Sequence, residues 1–343
     1  MTLSVKVTAR ITLMDRNWLS NTANIELELS TECNVDCAAC ARINNDLYNK
    51  HFEYWQRLFQ DDLKDVSLKC ITFTSHWGDP LSHPDIVKII DLISQTHPDV
   101  VIEITTSLNY GNEVFYQNLG AALAKFKHAR ILTNVYGNHH SHKIFRRCGD
   151  LNNVILASKT LSSSVDVFWN YPLFKFNQDD FSEVVNIGKD CGIHSIRSSL
   201  YHNQSIYQSP DQELGDEAEV IWFESADDPI FEEEDWNHTP FIEIDKNDSF
   251  EEDCGSLYAR SVWIDPWGGV WPCFAIGKHS MDFEDLEGVV VDRSIQKYGY
   301  FNNLKDNNFT DILQHEWYTN VLPNSQVKKP WTICKEECDL CGT

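Results

Sequence analysis

Basic charge and long apolar runs are what this 343-residue sequence lacks. Lys and Arg number 28 against 52 Asp and Glu, for a net charge of -24. A surface of that sign repels phosphate backbones and anionic headgroups, so neither nucleic acid nor membrane is an expected partner. No run reaches the roughly 18 apolar residues of a membrane span. The N-terminus lacks a charged-then-apolar signal pattern, because Arg10, Asp15 and Arg16 interrupt it. A cytoplasmic location is the expectation. No internal repeat is visible. The hydrophobic content of 42% and aromatic content of 12% are enough for one large domain plus a smaller one. Eleven cysteines, an odd number, point to metal binding rather than to a disulfide framework.

The acidic charge is concentrated. Residues 211–253 hold 18 Asp or Glu and one Lys, Lys246. A solvated linker and an acidic collar for a basic substrate or peptide both fit such a run. Trp222, Phe223, Phe231, Trp236 and Phe241 are interleaved in it, which implies that parts of it dock on something apolar.

From residue 25 to about 197, β-like and helical patterns alternate. Strands are expected at 25–29, 67–74, 100–106, 130–136, 165–169, 173–176 and 193–197. Helices are expected at 47–63, 85–95, 113–126, near 143–147 and at 179–191. Such alternation implies a parallel sheet. About six units close part of a barrel, and in barrels the chemistry sits at the C-terminal ends of strands. After residue 254 the style changes. Short strands flank a Gly268-Gly269 turn, a helix follows near 309–317, and the tail is Cys-rich.

Cys33, Cys37 and Cys40 form C-x3-C-x2-C directly after the first expected strand. Three thiolates on a loop leaving a strand can hold three irons of a [4Fe–4S] cube, leaving the fourth iron open to a substrate or cofactor. A zinc site or three buried thiols are the alternatives, although zinc normally takes four ligands. The spacing and its position resemble those of the radical S-adenosylmethionine (SAM) enzymes. One departure is Ala39, where that family usually has an aromatic residue.

Trp77-Gly78-Asp79-Pro80-Leu81 follows the second expected strand. It resembles the family's Gly-Glu-Pro-Leu segment, with Asp79 in place of Glu, which by that resemblance binds the amino group of SAM. Gly78, Asp79 and Pro80 are therefore expected cofactor contacts. A Gly lets backbone approach a ligand, and turn carbonyls or a carboxylate can accept from an ammonium. Taken alone, Gly-Asp-Pro is an ordinary turn. Thr106-Ser107-Leu108-Asn109 stands where the family often has Thr-Asn-Gly. Asn134 lies near a strand end where the family often places a ribose-binding polar residue. Ser107 and Asn134 join the expected cofactor contacts on that basis. Ordinary strand-end polar residues are the alternative, as they are for Phe174-Lys175-Phe176-Asn177.

Cys254, Gly268 and Cys273 resemble the opening of the SPASM/twitch motif of the same family. The resemblance implies a second, auxiliary [4Fe–4S] cluster on Cys254, Cys273, Cys338 and Cys341, with Cys334 as spare or substitute. A four-cysteine zinc knuckle is the alternative. Cys70, Cys148 and Cys191 are expected to be buried free thiols. His139, His140 and His142 are expected in an exposed loop rather than around a metal.

The resemblance implies an α/β protein, a partial (β/α)6 radical SAM barrel with a C-terminal twitch-like auxiliary-cluster domain. The expected boundaries are 1–23 for an N-terminal extension, 24–197 for the barrel, 198–253 for the acidic insert and 254–343 for the cluster domain. It implies reductive cleavage of SAM, hydrogen abstraction by a 5′-deoxyadenosyl radical, and oxidative modification of a peptide or small metabolite. A reductase such as a flavodoxin or ferredoxin would supply the electron. The segment before Cys33 is too short for the family's peptide-recognition domain, so such a domain is expected on a separate protein. The alternative class is a non-catalytic zinc- or Fe–S-binding interaction protein. The charge disfavours a nucleic-acid-modifying radical enzyme.

Overall fold

The computed structural model describes residues 22–38, 40, 48–200, 261–281, 299 and 301–323. Ala39, the acidic run, Cys254, Cys334, Cys338 and Cys341 lie outside the described residues.

Six parallel strands run in chain order: β1 (Asn24–Leu27), β2 (Cys70–Phe73), β3 (Val101–Thr105), β4 (Ala129–Asn134), β5 (Asp166–Leu173) and β6 (Ser195–Leu200). Helices fill the crossovers. They are α1 (Phe52–Arg57), α2 (Ile86–Thr96), α3 (Glu113–Leu123), the short α4 (His142–Phe145), α5 (Leu151–Leu161) and α6 (Phe181–Cys191). This is the expected partial (β/α)6 architecture. The sheet continues past β1. Strand β7 (Ser261–Ile264) pairs with β1 in parallel, and β8 (Val270–Trp271) returns antiparallel to β7. Helices α7 (Phe274–Met281) and α8 (Phe309–Gln314) follow. Among the described residues, no helix is long and apolar enough to cross a membrane.

Period-2 alternation explains the core. Leu27, Phe73, Ile104 and Ile131 are register partners across four strands, and all are fully buried. Helix α2 supplies Ile86, Ile89, Ile90 and Ile93, an i, i+3, i+4, i+7 stripe. The opposite sheet face is polar. There Glu26, Thr72, Glu103 and Arg130 are register partners, and Glu103 is ion-paired with Arg130.

The structure revises three expectations. In place of the two strands expected at 165–169 and 173–176 there is one, β5, which contains Pro172 and ends at Leu173. Its pairing with β4 ends at Asn170 while that with β6 runs on to Leu173. A proline with no N–H is tolerated where one side of the strand has no ladder to join. Helix α5 was not expected. Asp150 caps it by accepting from Asn152 N (2.9 Å), and Leu151, Val154, Ala157, Ser158 and Leu161 form its buried face. Helix α1 begins at Phe52 rather than near 47, because the preceding residues pair with the loop after β1: Thr31 N donates to Tyr48 O (3.1 Å) and Tyr48 N to Thr31 Oγ1 (2.7 Å).

The expected Gly-Gly turn joins β7 to β8. Gly268 has φ +93°, a conformation that suits only glycine well. Asp265 organises the turn by accepting from Trp267 N, Gly269 N and Trp271 Nε1 (2.7–2.9 Å).

Candidate active site

Parallel strands put the chain's loops for β1, β2, β3 and β4 at one edge of the sheet. The Cys loop leaves β1 there. Cys33, Cys37 and Cys40 are half-buried thiols, none of them in a disulfide. Cys40 N donates to Cys37 O (3.1 Å), a turn that brings the last two cysteines together. A segment from beyond β4 pins the loop: Ala38 N donates to Phe145 O (2.7 Å), Arg147 N donates to Asp36 O (2.8 Å), and Cys37 bridges Arg146. Backbone hydrogen bonds thus hold the loop on both sides of Cys37.

The turn after β2 lies directly on this loop. A Cβ on Gly78 would meet Ser30 O at 2.4 Å, Glu32 O at 2.6 Å and the Thr31 carbonyl carbon at 2.7 Å. Only a residue without a side chain fits between these backbones. Asp79 N donates to Glu32 O (2.8 Å), and Ser82 Oγ donates to the same carbonyl (2.9 Å). Pro80 opens a short 3₁₀ turn whose Leu81 N is capped by Asp79.

Asp79 is almost fully buried, and its carboxylate is committed to the protein. It accepts from Leu81 N (2.9 Å), Thr106 Oγ1 (2.8 and 2.9 Å), Ser107 N (2.7 Å) and Ser107 Oγ (2.6 Å). It ties the end of β2 to the end of β3. Next to Ser107, Leu108 is buried at φ +53°, a left-handed conformation unusual for a branched side chain. Holding it there costs about 1–3 kcal/mol.

Three residues that matter here escaped the sequence reading. Glu28, just past β1, is fully buried and accepts from Thr74 Oγ1 (2.8 Å), His76 N (3.2 Å), Trp77 N (2.7 Å) and Gly78 N (3.2 Å). Burial raises its carboxyl to about 7, while those hydrogen bonds pull it down. Arg146 is 6% exposed and has no carboxylate partner among the described residues. Its Nη1 donates to Ser107 O (3.1 Å), its guanidinium lies 5.2 Å from the Tyr136 ring centre, and its Nε has no partner. Tyr136 stacks on Phe145 at 4.0 Å, and Phe145 on Phe174 at 5.6 Å, in a cluster against which Cys37 packs. Burial pushes the Tyr136 phenol up to about 12, against the pull of Arg146. A lone Glu, Arg or Tyr carries no spacing signal, and these three act only through long-range contacts.

Two more of the expected residues, Asn134 and Cys273, are among those described. Asn134 Oδ1 accepts from Asn170 Nδ2 (2.9 Å), and its Nδ2 donates to the Tyr136 hydroxyl (3.4 Å). Cys273, half-buried at the start of α7, receives Ile276 N (3.5 Å). The next residue, Phe274, stacks on His76 at 3.8 Å, and Trp267 meets Trp77 edge-on at 5.8 Å. The segment carrying Cys273 thus packs on the turn after β2. Of the unassigned thiols, Cys191 is buried, Cys70 is half-buried, and Cys148 is exposed, contrary to expectation. His139 and His140 are exposed. His142 is fully buried, its Nδ1 accepting from Tyr136 N (3.2 Å), with burial lowering its imidazole to about 3.

The donor set of the Cys loop suits a [4Fe–4S] cluster, with three soft thiolates on one loop and none committed to a disulfide. Among the described residues, no three His, Cys, Asp or Glu side chains are arranged to hold a single metal ion. A cluster does not need that convergence, because each thiolate binds its own iron.

No family model and no curated protein matches this sequence. Solved structures match its fold. SuiB of Streptococcus suis bound to S-adenosylmethionine aligns with 92% of this chain and 72% of its own, at TM-score 0.58 and 15% identity. SuiB bound to precursor peptide SuiA aligns with 91% of this chain and 68% of its own, at TM-score 0.56 and 14% identity. Histidine-tagged anSMEcpe with bound AdoMet aligns with 93% of this chain and 83% of its own, at TM-score 0.54 and 13% identity. The likeness is one of fold, and the fold is the radical SAM partial barrel.

Proposed function

We propose that this chain is a radical SAM enzyme that modifies a peptide or a small metabolite oxidatively. One observation carries the reading. The three-thiol loop after β1 and the glycine turn after β2 touch backbone to backbone, at the strand ends where such barrels do chemistry. On this reading Cys33, Cys37 and Cys40 hold a [4Fe–4S] cluster, and SAM lies between that loop, Gly78, Ser107 and Asn134. When bound, cluster and SAM together supply one-electron cleavage of the S–C5′ bond and a 5′-deoxyadenosyl radical that abstracts hydrogen.

The protein's own residues bind, orient and exclude water. Gly78 lets the turn after β2 seat directly on the backbone of the Cys loop. Arg146, a buried cation without a carboxylate among the described residues, offers charge to the carboxylate of SAM. Tyr136, Phe145 and Phe174 wall off the Cys37 side from water.

A peptide substrate is favoured over a small molecule on two grounds. SuiB, similar in fold, binds a precursor peptide, and the acidic run at 211–253 suits a basic one. Cys254, Cys273, Cys338 and Cys341, with Cys334 in reserve, are the proposed ligands of an auxiliary cluster within a 254–343 domain. A flavodoxin- or ferredoxin-type donor and a cytoplasmic location complete the proposal.

The deciding experiment is anaerobic reconstitution, iron and sulfide counting, and a search for 5′-deoxyadenosine after adding dithionite and SAM. About eight irons per chain with 5′-deoxyadenosine formed support a two-cluster enzyme. Bound zinc with no SAM cleavage would leave the non-catalytic metal protein. Cys273→Ala should lose about half of the iron and keep partial SAM cleavage while substrate turnover stops. Unchanged iron in that variant would remove Cys273 from the ligand set.

A further inference from the structure

The N–H groups of His76, Trp77 and Gly78 all donate to the two oxygens of Glu28, with Thr74 Oγ1 as fourth donor. Four donors and no acceptor around one fully buried group match a carboxylate. The peptide plane gives this a consequence. In a trans peptide, the carbonyl of one residue points opposite to the N–H of the next. There is no cis peptide among the described residues. Drawing the N–H groups of residues 76–78 onto Glu28 therefore turns the carbonyls of Ser75, His76 and Trp77 away from it. Asp79 N, held by Glu32 O at 2.8 Å, turns the Gly78 carbonyl away from the Cys loop backbone in the same way. None of these four carbonyls accepts a hydrogen bond from any described residue. These open carbonyls are acceptors that the turn leaves for N–H donors on its side away from Glu28.

We propose that Glu28 is a positioning residue. It gathers the N–H groups of the turn after β2, so that the turn's carbonyls face outward as a receptor for an ammonium. The proposal rests on the SAM-binding reading above, in which that ammonium belongs to the methionine part of SAM. Glu28 itself touches no ligand. Its own N–H donates to Ile264 O (3.0 Å) on β7, so the carboxylate starts from a fixed strand end.

The test is Glu28→Gln in reconstituted protein, with binding read from the change that ligand causes in the electron paramagnetic resonance of the reduced cluster. Glutamine keeps the shape but puts an NH2 where N–H donors converge. Two ligands are titrated: SAM, and its analogue with hydrogen replacing the α-amino group. The expected result is SAM affinity lower by about 10- to 100-fold, with iron content and affinity for the amino-free analogue unchanged. Equal losses for both ligands, or no loss for either, would overturn the positioning role. Should Glu28→Gln fail to fold, Thr74→Val removes one of the four donors. It should show a smaller loss with the same preference, and an unselective effect there overturns the role equally. Wild-type protein that binds no SAM would overturn the proposed function together with this role. Wild type that binds SAM beside an unaffected Glu28→Gln would overturn the role of Glu28 alone.

Discussion

Cys37→Ala is expected to yield no detectable 5′-deoxyadenosine and to lose the iron of the first cluster. A three-thiolate site has no ligand to spare, since the fourth iron is the one left open for chemistry. The fold should survive. Cys37 lies on a loop held by Ala38 N to Phe145 O and Arg147 N to Asp36 O, and alanine keeps both backbone bonds. A half-buried thiol on such a loop contributes about 1 kcal/mol or less to stability. The measurement pairs iron per chain with a melting curve and a mass-spectrometric assay for 5′-deoxyadenosine. Cys148→Ala, at an exposed thiol outside the site, is the control and should match wild type in all three. SAM cleavage by Cys37→Ala at the wild-type rate would sink the assignment of the Cys loop.

Gly78→Ala is expected to abolish measurable SAM binding and to lower Tm by a few degrees. The added methyl has nowhere to go, since its three nearest neighbours, at 2.4–2.7 Å, are all backbone atoms of residues 30–32. No side-chain rotation relieves such a contact, so the turn must move off the Cys loop by about 1 Å, at about 1–3 kcal/mol. That movement strains the bonds from Asp79 N and Ser82 Oγ to Glu32 O. It separates the two halves of the cofactor site, where a displacement of about 1 Å costs about 100-fold in rate. Isothermal titration with SAM alongside calorimetric unfolding checks both parts. SAM binding at wild-type affinity would mean that the contact between turn and loop is not part of the site.

Much of the barrel was legible because its signals are local. Ile25, Leu27 and Leu29 alternate, and Ile86, Ile89, Ile90 and Ile93 recur at helical spacing. Each pattern names its element without knowledge of its partner. The failures also have local causes. Asn152 and Asn153 open helix α5 with weak helix formers, hiding a buried stripe that ends in Leu161. Pro172 splits what is one strand, because whether a proline interrupts β5 depends on where its neighbour β4 ends. Helix α1 starts later than its pattern suggests because Tyr48 and Asn49 are drawn into contacts with the loop after β1.

The site divides in the same way. The chemistry of Cys33, Cys37 and Cys40 is written in their identity and spacing. A thiolate's affinity for iron is a property of the side chain, and a short loop keeps the three near one another in any fold. The need for glycine at position 78 could be suspected from its turn but was decided by the backbone of residues 30–32. Glu28 reaching residues 74–78, Arg146 lying beside Cys37, and β7 joining β1 from the far end of the chain were decided by the tertiary structure alone. Each depends on which strand ends lie side by side. Sheet order is chosen by burial of the apolar strand faces under the helices over the whole domain, a sum over many weak contacts that no short stretch of sequence contains.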